Sequence, residues 1–127
     1  MSELVARDLL FLHGELARYL RQPRGVADPA ALRLALQAPG GVPGGDLFEQ
    51  AAALAQAIVH ARPFLAANLA VAAAAAAFFL RPYGLALELP AAEMTALRSL
   101  LAGADRKALT DWLRSHTGAA PPEDAVR

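Results

Sequence analysis

The chain has 127 residues, enough for one domain with a buried core. It contains no cysteine, which excludes disulfides, thiolate nucleophiles and cysteine-based metal sites. Because no signal-peptide pattern opens the chain, it is predicted to be cytoplasmic. Twelve basic residues balance twelve acidic ones, which argues against a nucleic-acid partner, because nucleic-acid-binding proteins usually concentrate Lys and Arg on one face.

Apolar residues recur three and four positions apart along most of the chain, which predicts an all-α fold: a compact bundle of about six helices. The first helix is predicted over residues 2–20. The second begins at Asp28 and Pro29, because Asp can cap a helix and Pro suits its first position. Residues 38–45, rich in Gly and Pro, predict a flexible loop, because Pro lacks an N–H donor and Gly has high backbone entropy.

The middle of the chain predicts two further helices. Asp46 and Glu49 have the spacing of a capping box and predict the start of the third helix, which Pro63 should end near Arg62. The fourth helix, over about residues 65–80, is rich in alanine. It falls short of the about 20 strongly apolar residues that a bilayer requires, so it is predicted to be the buried central helix of the bundle rather than a membrane span.

The C-terminal third predicts two more helices. A brief extended connector over residues 85–89 precedes the fifth helix, which Gly103 should cap. Asp105 can cap the start of the sixth helix, which Gly118 should close. The single predicted domain therefore runs from residue 1 to Gly118. Residues 119–127 contain too few apolar side chains to order themselves and are predicted to form a flexible tail.

The most informative motif occupies residues 60–72 and reads His-Ala-Arg-Pro-Phe-Leu-Ala-Ala-Asn-Leu-Ala-Val-Ala. It resembles the His-Pro-Phe-x-Asp-Gly-Asn-Lys-Arg-Thr-Ala motif of the bacterial Doc (death-on-curing) toxins and, more distantly, that of the Fic AMP-transferases. Further segments resemble Doc sequences in the same order: residues 12–16 (Leu-His-x-x-Leu), residues 25–29 (Gly-Val-Ala-Asp-Pro, with Ala27 where Arg is usual) and residues 109–113 in the closing helix. The resemblance spans about residues 4–116 and implies a Fic/Doc-like helical fold.

Most of the reactive side chains that the resemblance implies are replaced in this chain. Arg62 stands where the family has its general base, and a guanidinium has no lone pair with which to accept a proton. Ala66 stands where an acidic residue helps to hold magnesium and phosphates. Leu69 and Ala70 stand where two cations neutralise phosphate charge. Only Asn68 persists, and it is predicted to cap the fourth helix, so we predict no catalytic residue and no metal site.

A weaker ligand site is still conceivable at the start of the fourth helix. Backbone amides at a helix N-terminus attract anions, and we therefore consider Arg62, Phe64, Ala67 and Asn68 as a residual anion or ligand site.

The remaining candidates for chemistry receive structural interpretations. His60 lies two positions before Arg62 and should face away from the site, because two residues turn a helix by about 200°. His13 matches a position that looks structural in the family. His116 should interact with the dipole at the end of the last helix. Trp112 is predicted to belong to the core.

Three functions are open at this point. The first, which the sequence features favour, is a pseudoenzyme related to toxin-antitoxin toxins that binds an antitoxin-like peptide, a related protein or a second copy of itself. The second is a divergent transferase that uses ATP and Mg²⁺ to modify a protein hydroxyl; only this alternative implies a cofactor. The third is a structural or oligomerising helical protein. Neither a nucleic acid nor a membrane is an expected partner.

Overall fold

The computed structural model describes residues 6–42 and 45–120, and most of these residues are helical. The six helices are α1 (Ala6–Leu20), α2 (Pro29–Gln37), α3 (Leu47–Ala61), α4 (Asn68–Leu80), α5 (Met94–Ala102) and α6 (Arg106–Ser115). Two short strands, β1 (Leu85–Leu87) and β2 (Thr117–Ala119), pair antiparallel. The predicted all-α bundle of about six helices is confirmed. Every helix in residues 6–42 and 45–120 is too short or too polar to cross a bilayer.

Aspartate caps explain where three of the helices begin. Asp28 accepts a backbone hydrogen bond at the start of α2, and Asp105 does the same at the start of α6. At the start of α3, the Asp46 side chain accepts the N–H of Glu49 at 2.8 Å, and the Glu49 side chain accepts the N–H of Asp46 at 3.1 Å. These bonds satisfy amides that a helix start would otherwise leave unpaired. The three predicted helix starts are confirmed.

The centre of the bundle is shared by two helices. α3 packs against α2, α4, α5 and α6, and residues 51–56 of α3 are all buried. The alanine-rich α4 also lies in the core, where Val71, Ala72 and Ala75 are fully buried, although Phe78 remains 44% exposed. The alanine-rich helix was predicted to be the central element, and the structure gives the more enclosed position to α3. Small alanine side chains on both helices let the two backbones approach closely.

α4 begins three residues later than the sequence predicts. Phe64 forms an isolated antiparallel β-bridge with Val26, and the N–H of Leu65 donates to the carbonyl oxygen of Gly25 at 2.9 Å. These bonds hold residue 64 in a bridge and residue 65 in the bend that follows it, so the helix starts at Asn68. The prediction of a helix from about Leu65 was therefore wrong, because pairing with a segment distant in sequence outweighs local helix propensity.

The two-stranded sheet near the C-terminal end of the described chain is a second departure from the prediction. The connector over residues 85–89 is extended as predicted, but its first three residues pair with β2. α6 ends at Ser115, and Gly118 lies within β2 rather than closing the helix. The N–H of Ala120 donates to the carbonyl oxygen of Gly84 at 2.8 Å, which extends the pairing. The described fold thus continues through the first two residues of the predicted tail, while residues 121–127 lie outside the described part.

Two other predicted segments fall partly outside the described residues. Residues 2–5 of the first predicted helix are not described, and neither are residues 43 and 44 of the predicted flexible loop. In the described part of that loop, Pro39–Gly41 forms a 3₁₀ turn, in which the N–H of Gly41 donates to the carbonyl oxygen of Ala38 at 3.1 Å. The described part of the loop therefore contains hydrogen-bonded turns that the sequence did not predict.

We expect Asp46→Ala to lower the free energy of unfolding by about 1–2 kcal/mol, because the variant loses the cap of α3. It also loses the ion pair in which Arg114 Nη2 lies 2.5 Å from Asp46 Oδ2. The measurement is urea unfolding followed by circular dichroism. Asp46→Asn is the matched control: it keeps an acceptor for the Glu49 amide and should recover most of the loss. Equal losses in both variants would contradict the capping argument.

Candidate functional site

The loop over residues 62–67 joins α3 to α4 and contains the informative motif. Arg62 is the C-cap of α3 in a left-handed conformation (φ 50°, ψ 58°), and Pro63 follows it, so the predicted end of this helix is confirmed. Ala67, immediately before α4, is also left-handed (φ 66°, ψ 23°). For residues other than glycine this conformation costs about 1–2 kcal/mol, so two strained residues bracket the loop.

Asn68 holds the loop by bonding to the backbone of Phe64. Its Oδ1 accepts the N–H of Phe64 at 3.1 Å, and its Nδ2 donates to the carbonyl oxygen of Phe64 at 3.0 Å. Asn68 is the first residue of α4, and the N-cap position belongs to Ala67, so the prediction that Asn68 caps the helix was wrong. Only a side-chain amide can both accept and donate in this way, and the buried position leaves little access to water.

The ring of Phe64 stacks on the imidazole of His13 in α1. The ring centroids are 4.4 Å apart and the planes differ by 12°. His13 Nε2 accepts the N–H of Gly25 at 2.9 Å, which places the proton of the neutral ring on Nδ1. Burial, and then the positive charge of Arg24, lower the pKa of His13, so the ring is neutral near pH 7. His13 is thus a buried structural residue, as predicted.

The segment that leads into α2 runs beside the loop. The N–H groups of residues 27 and 28 both donate to the carbonyl oxygen of Pro63, at 2.8 and 3.1 Å. Gly25 has φ +133°, and a Cβ atom there would lie 3.0 Å from Leu65 Cδ1, so only glycine suits this position. We call His13, Gly25, Phe64 and Asn68 the motif cluster. Its members come from three separate parts of the chain, and their contacts hold one another in position.

The four positions at which the resemblance implies reactive groups lie along the same loop and helix start. Arg62 is exposed, Ala66 and Ala70 are partly exposed, and Leu69 is 37% exposed. These four side chains offer no proton acceptor, no carboxylate and no ammonium group. Across residues 6–42 and 45–120, His, Asp and Glu side chains form no group of three that could hold a metal ion.

Two of the four residues predicted to form an anion or ligand site bond to each other in the structure. The site was predicted to comprise Arg62, Phe64, Ala67 and Asn68. The Asn68 side chain and the Phe64 backbone bond to each other, as described above, so their polar groups are already engaged. Arg62 is the one charged member of this set. No second feature of the loop points to a bound anion.

The other two histidines have partners away from the motif cluster. His60 Nε2 lies 3.2 Å from the carbonyl oxygen of Gly103, the C-cap of α5. His116 Nδ1 lies 2.8 Å from the carbonyl oxygen of Trp112, and His116 Nε2 lies 2.7 Å from Glu93 Oε1. The Trp112 carbonyl, and then Glu93, raise the pKa of His116, because both accept a hydrogen bond from the protonated ring. Its predicted role at the end of the last helix agrees with this geometry.

Sequence reasoning missed the stacking of His13 on Phe64 and the bonds between residues 25–28 and residues 63–65. A signal was present, since three of the segments on which the resemblance to Doc sequences was based, residues 12–16, 25–29 and 60–72, meet in the structure. Spacing along the chain could not reveal that contact, because about 40 residues separate the two segments. Compared with known proteins, the chain matches no protein-family model and no curated protein.

We expect Ala67→Gly to raise the free energy of unfolding by about 0.5–1 kcal/mol, because glycine adopts the left-handed conformation without steric cost and loses only part of that gain to backbone entropy. Ala74→Gly, within the regular part of α4, is the matched control and should lower the same quantity by about 1 kcal/mol. Urea unfolding of both variants tests the opposite signs. A loss in both variants would mean that residue 67 is not strained.

We expect the contribution of His13 to stability to decrease as the pH is lowered. Because its pKa is lowered on folding, the unfolded chain binds the proton more readily; the contribution is fully present above the ordinary value of 6.5 and is lost as the pH falls below it. His116 acts in the opposite direction: its raised pKa adds stability below 6.5, and this is lost as the pH rises through the folded value. The test compares unfolding of the wild type and His13→Gln between about pH 7 and about pH 5. Parallel pH profiles for the two proteins would contradict this role of His13.

Proposed function

We propose that the chain is a Doc-like protein that lacks transfer activity and acts by binding another protein. One observation carries the proposal. The residues that preserve the resemblance hydrogen-bond to and pack against one another in the motif cluster. The positions where the resemblance implies reactive groups are occupied by side chains that cannot perform the reaction. The chain therefore keeps the frame of a transfer site and lacks its chemistry.

The preserved residues support this proposal through their hydrogen bonds. Asn68 uses its side-chain acceptor and one of its donors on Phe64, and His13 uses its acceptor nitrogen on Gly25. Phe64 is 2% exposed, and its ring lies against His13 rather than facing solvent. The side chains of Phe64 and Asn68 are therefore explained by folding and do not require a substrate, whereas His13 Nδ1 is buried without a hydrogen-bond partner in the described part of the chain.

The replaced residues support the proposal because each catalytic group that they replace contributes a large factor to the rate of transfer. A general base contributes about 10²- to 10⁴-fold to a rate. A cation that faces the transferred phosphoryl group contributes about 10³- to 10⁵-fold. The losses at Arg62, Leu69 and Ala70 need not multiply, because groups that act together are not additive. Any one of them is enough to make turnover negligible.

Exposed apolar side chains favour a role in binding. Phe11 is 66% exposed, Leu65 is 56% exposed and Leu10 is 43% exposed, and all three lie near the motif cluster. Grouped apolar side chains on a surface often mark a contact with another protein. An antitoxin-like peptide could use such a surface by laying an apolar helix face on it, and this kind of contact needs no catalytic residue.

Affinity purification from the native cell tests the proposal. Recovery of a stoichiometric protein partner would support a binding function. Recovery of the chain alone, together with a dimer in sedimentation, would favour the structural alternative. Calorimetry with ATP and Mg²⁺, combined with transfer of radiolabelled nucleotide to cellular proteins, tests the transferase alternative. Both binding and labelling by the wild-type chain would overturn the loss of activity.

We expect the combined change Arg62→His, Ala66→Asp, Leu69→Lys and Ala70→Arg to introduce ATP binding that the wild type lacks, because it supplies the base, the carboxylate and two cations on the same frame. The measurement is calorimetry with ATP and Mg²⁺, with nucleotide transfer as the second readout. The control carries the last three changes only: it should bind ATP but transfer nothing. Equal ATP binding by the wild type and the variant would contradict the expectation.

A further inference from the structure

An open cleft of about 550 Å³ lies between α1 and the segment that leads from α1 to α2. The residues that line it are Leu10, Phe11, His13, Gly14, Glu15, Arg24 and Gly25. Leu65 extends the apolar surface beyond Gly25, since its side chain would contact a Cβ atom placed there. This surface does not include the positions from which the loss of transfer activity is proposed. The motif cluster contributes only to its edge, through His13 and Gly25.

Gly14 is unusual because it lies in the middle of α1. Glycine is the least favourable residue after proline inside a helix, because it leaves the backbone more freedom to lose on folding. Space does not require it: a Cβ atom at this position would meet only Arg24 Nη1, at 4.0 Å. Alanine would therefore fit and strengthen the helix. What the glycine provides is a part of the cleft that no side chain fills.

The charged side chains that line the cleft, Glu15 and Arg24, differ in whether they have an ion-pair partner. Glu15 is neutralised by Arg18, whose Nη2 lies 2.6 Å from Glu15 Oε1. Arg24 forms no ion pair with any residue in the described part of the chain. His13 adds no charge, because its buried ring is neutral. The cleft therefore presents one unpaired guanidinium beside the exposed side chains of Leu10 and Phe11.

We infer that this cleft binds an acidic amphipathic segment of a partner protein. An apolar side chain of the partner would lie on Leu10 and Phe11 above Gly14, and a neighbouring carboxylate would pair with Arg24. Charge complementarity favours an acidic occupant, because no carboxylate in the described part of the chain pairs with Arg24. The inference rests on the proposed binding function and names the chemistry of the partner.

A displayed library of random peptides, selected against the whole chain, tests the inference. We expect the enriched peptides to carry Asp or Glu within one helical turn of Leu, Phe or Met. Arg24→Glu should weaken their binding about tenfold or more, because a charged hydrogen bond is replaced by repulsion. Arg98→Glu makes the same change on the exposed surface of α5 and is the matched control; it should leave the affinity unchanged.

Changes at Gly14 separate binding from folding. Gly14→Ala should raise the melting temperature by about 3–5 °C, because it strengthens α1. Gly14→Leu should also keep the chain folded, and its side chain should fill the cleft and weaken peptide binding about tenfold or more. A stable variant that no longer binds supports the inference. A Gly14→Leu variant that is folded and binds as tightly as the wild type overturns it.

Three further outcomes would also overturn the inference: enrichment of basic peptides, no enrichment, or a dimer in sedimentation that Arg24→Glu and Gly14→Leu both abolish. Affinity purification with Arg24→Glu distinguishes this failure from failure of the proposed function. If the variant still recovers the partner that the wild type recovers, the chain is a binding protein whose site lies elsewhere. If neither protein recovers a partner, the proposed function fails as well.

Discussion

The two hydrogen bonds between the Asn68 side chain and the backbone of Phe64 are the constraint on which the surrounding structure depends. They keep residue 64 out of the helix that follows, so that its backbone can form a bridge with Val26 and its ring can stack on His13. His13 in turn accepts the amide of Gly25. Because all of these groups are buried or partly buried, losing one partner would leave another without a hydrogen bond or a packing surface. One side-chain amide thereby connects the middle of α1 and the end of α3 with the starts of α2 and α4.

This arrangement also explains how the loop can hold strained residues. Arg62 and Ala67 are both left-handed, and each would relax if the loop were free. The carbonyl oxygen of Pro63 accepts two amides from the segment before α2, and these bonds oppose that relaxation. Strain maintained in this way often accompanies a functional site. Here it brackets a loop in which Arg62 and Ala66 offer neither a proton acceptor nor a carboxylate, and this combination agrees with the proposed binding function.

The proposed binding cleft lies directly beside the motif cluster. His13 and Gly25 belong to both, with the ring of His13 facing Phe64 on one side and bordering the cleft on the other. The cluster therefore gives the cleft a rigid edge, and the glycine in α1 leaves space beside it. A ligand that contacts this edge would meet a preformed surface and would lose little free energy in ordering it.

The sequence by itself determined the helices. Periodicity gave the all-α class, aspartate caps gave the starts of α2, α3 and α6, and Pro63 gave the end of α3, because each of these signals acts within a few residues of the chain. Only the tertiary structure decided the late start of α4, the bonding of Asn68, the stack of His13 and the pairing of β1 with β2. Each of these depends on partners that are close in space, and all but the bonding of Asn68 join segments distant in sequence, so local pattern could not predict them. The sequence thus indicated the local elements and the residues of the motif, and the fold revealed how those residues bond to one another.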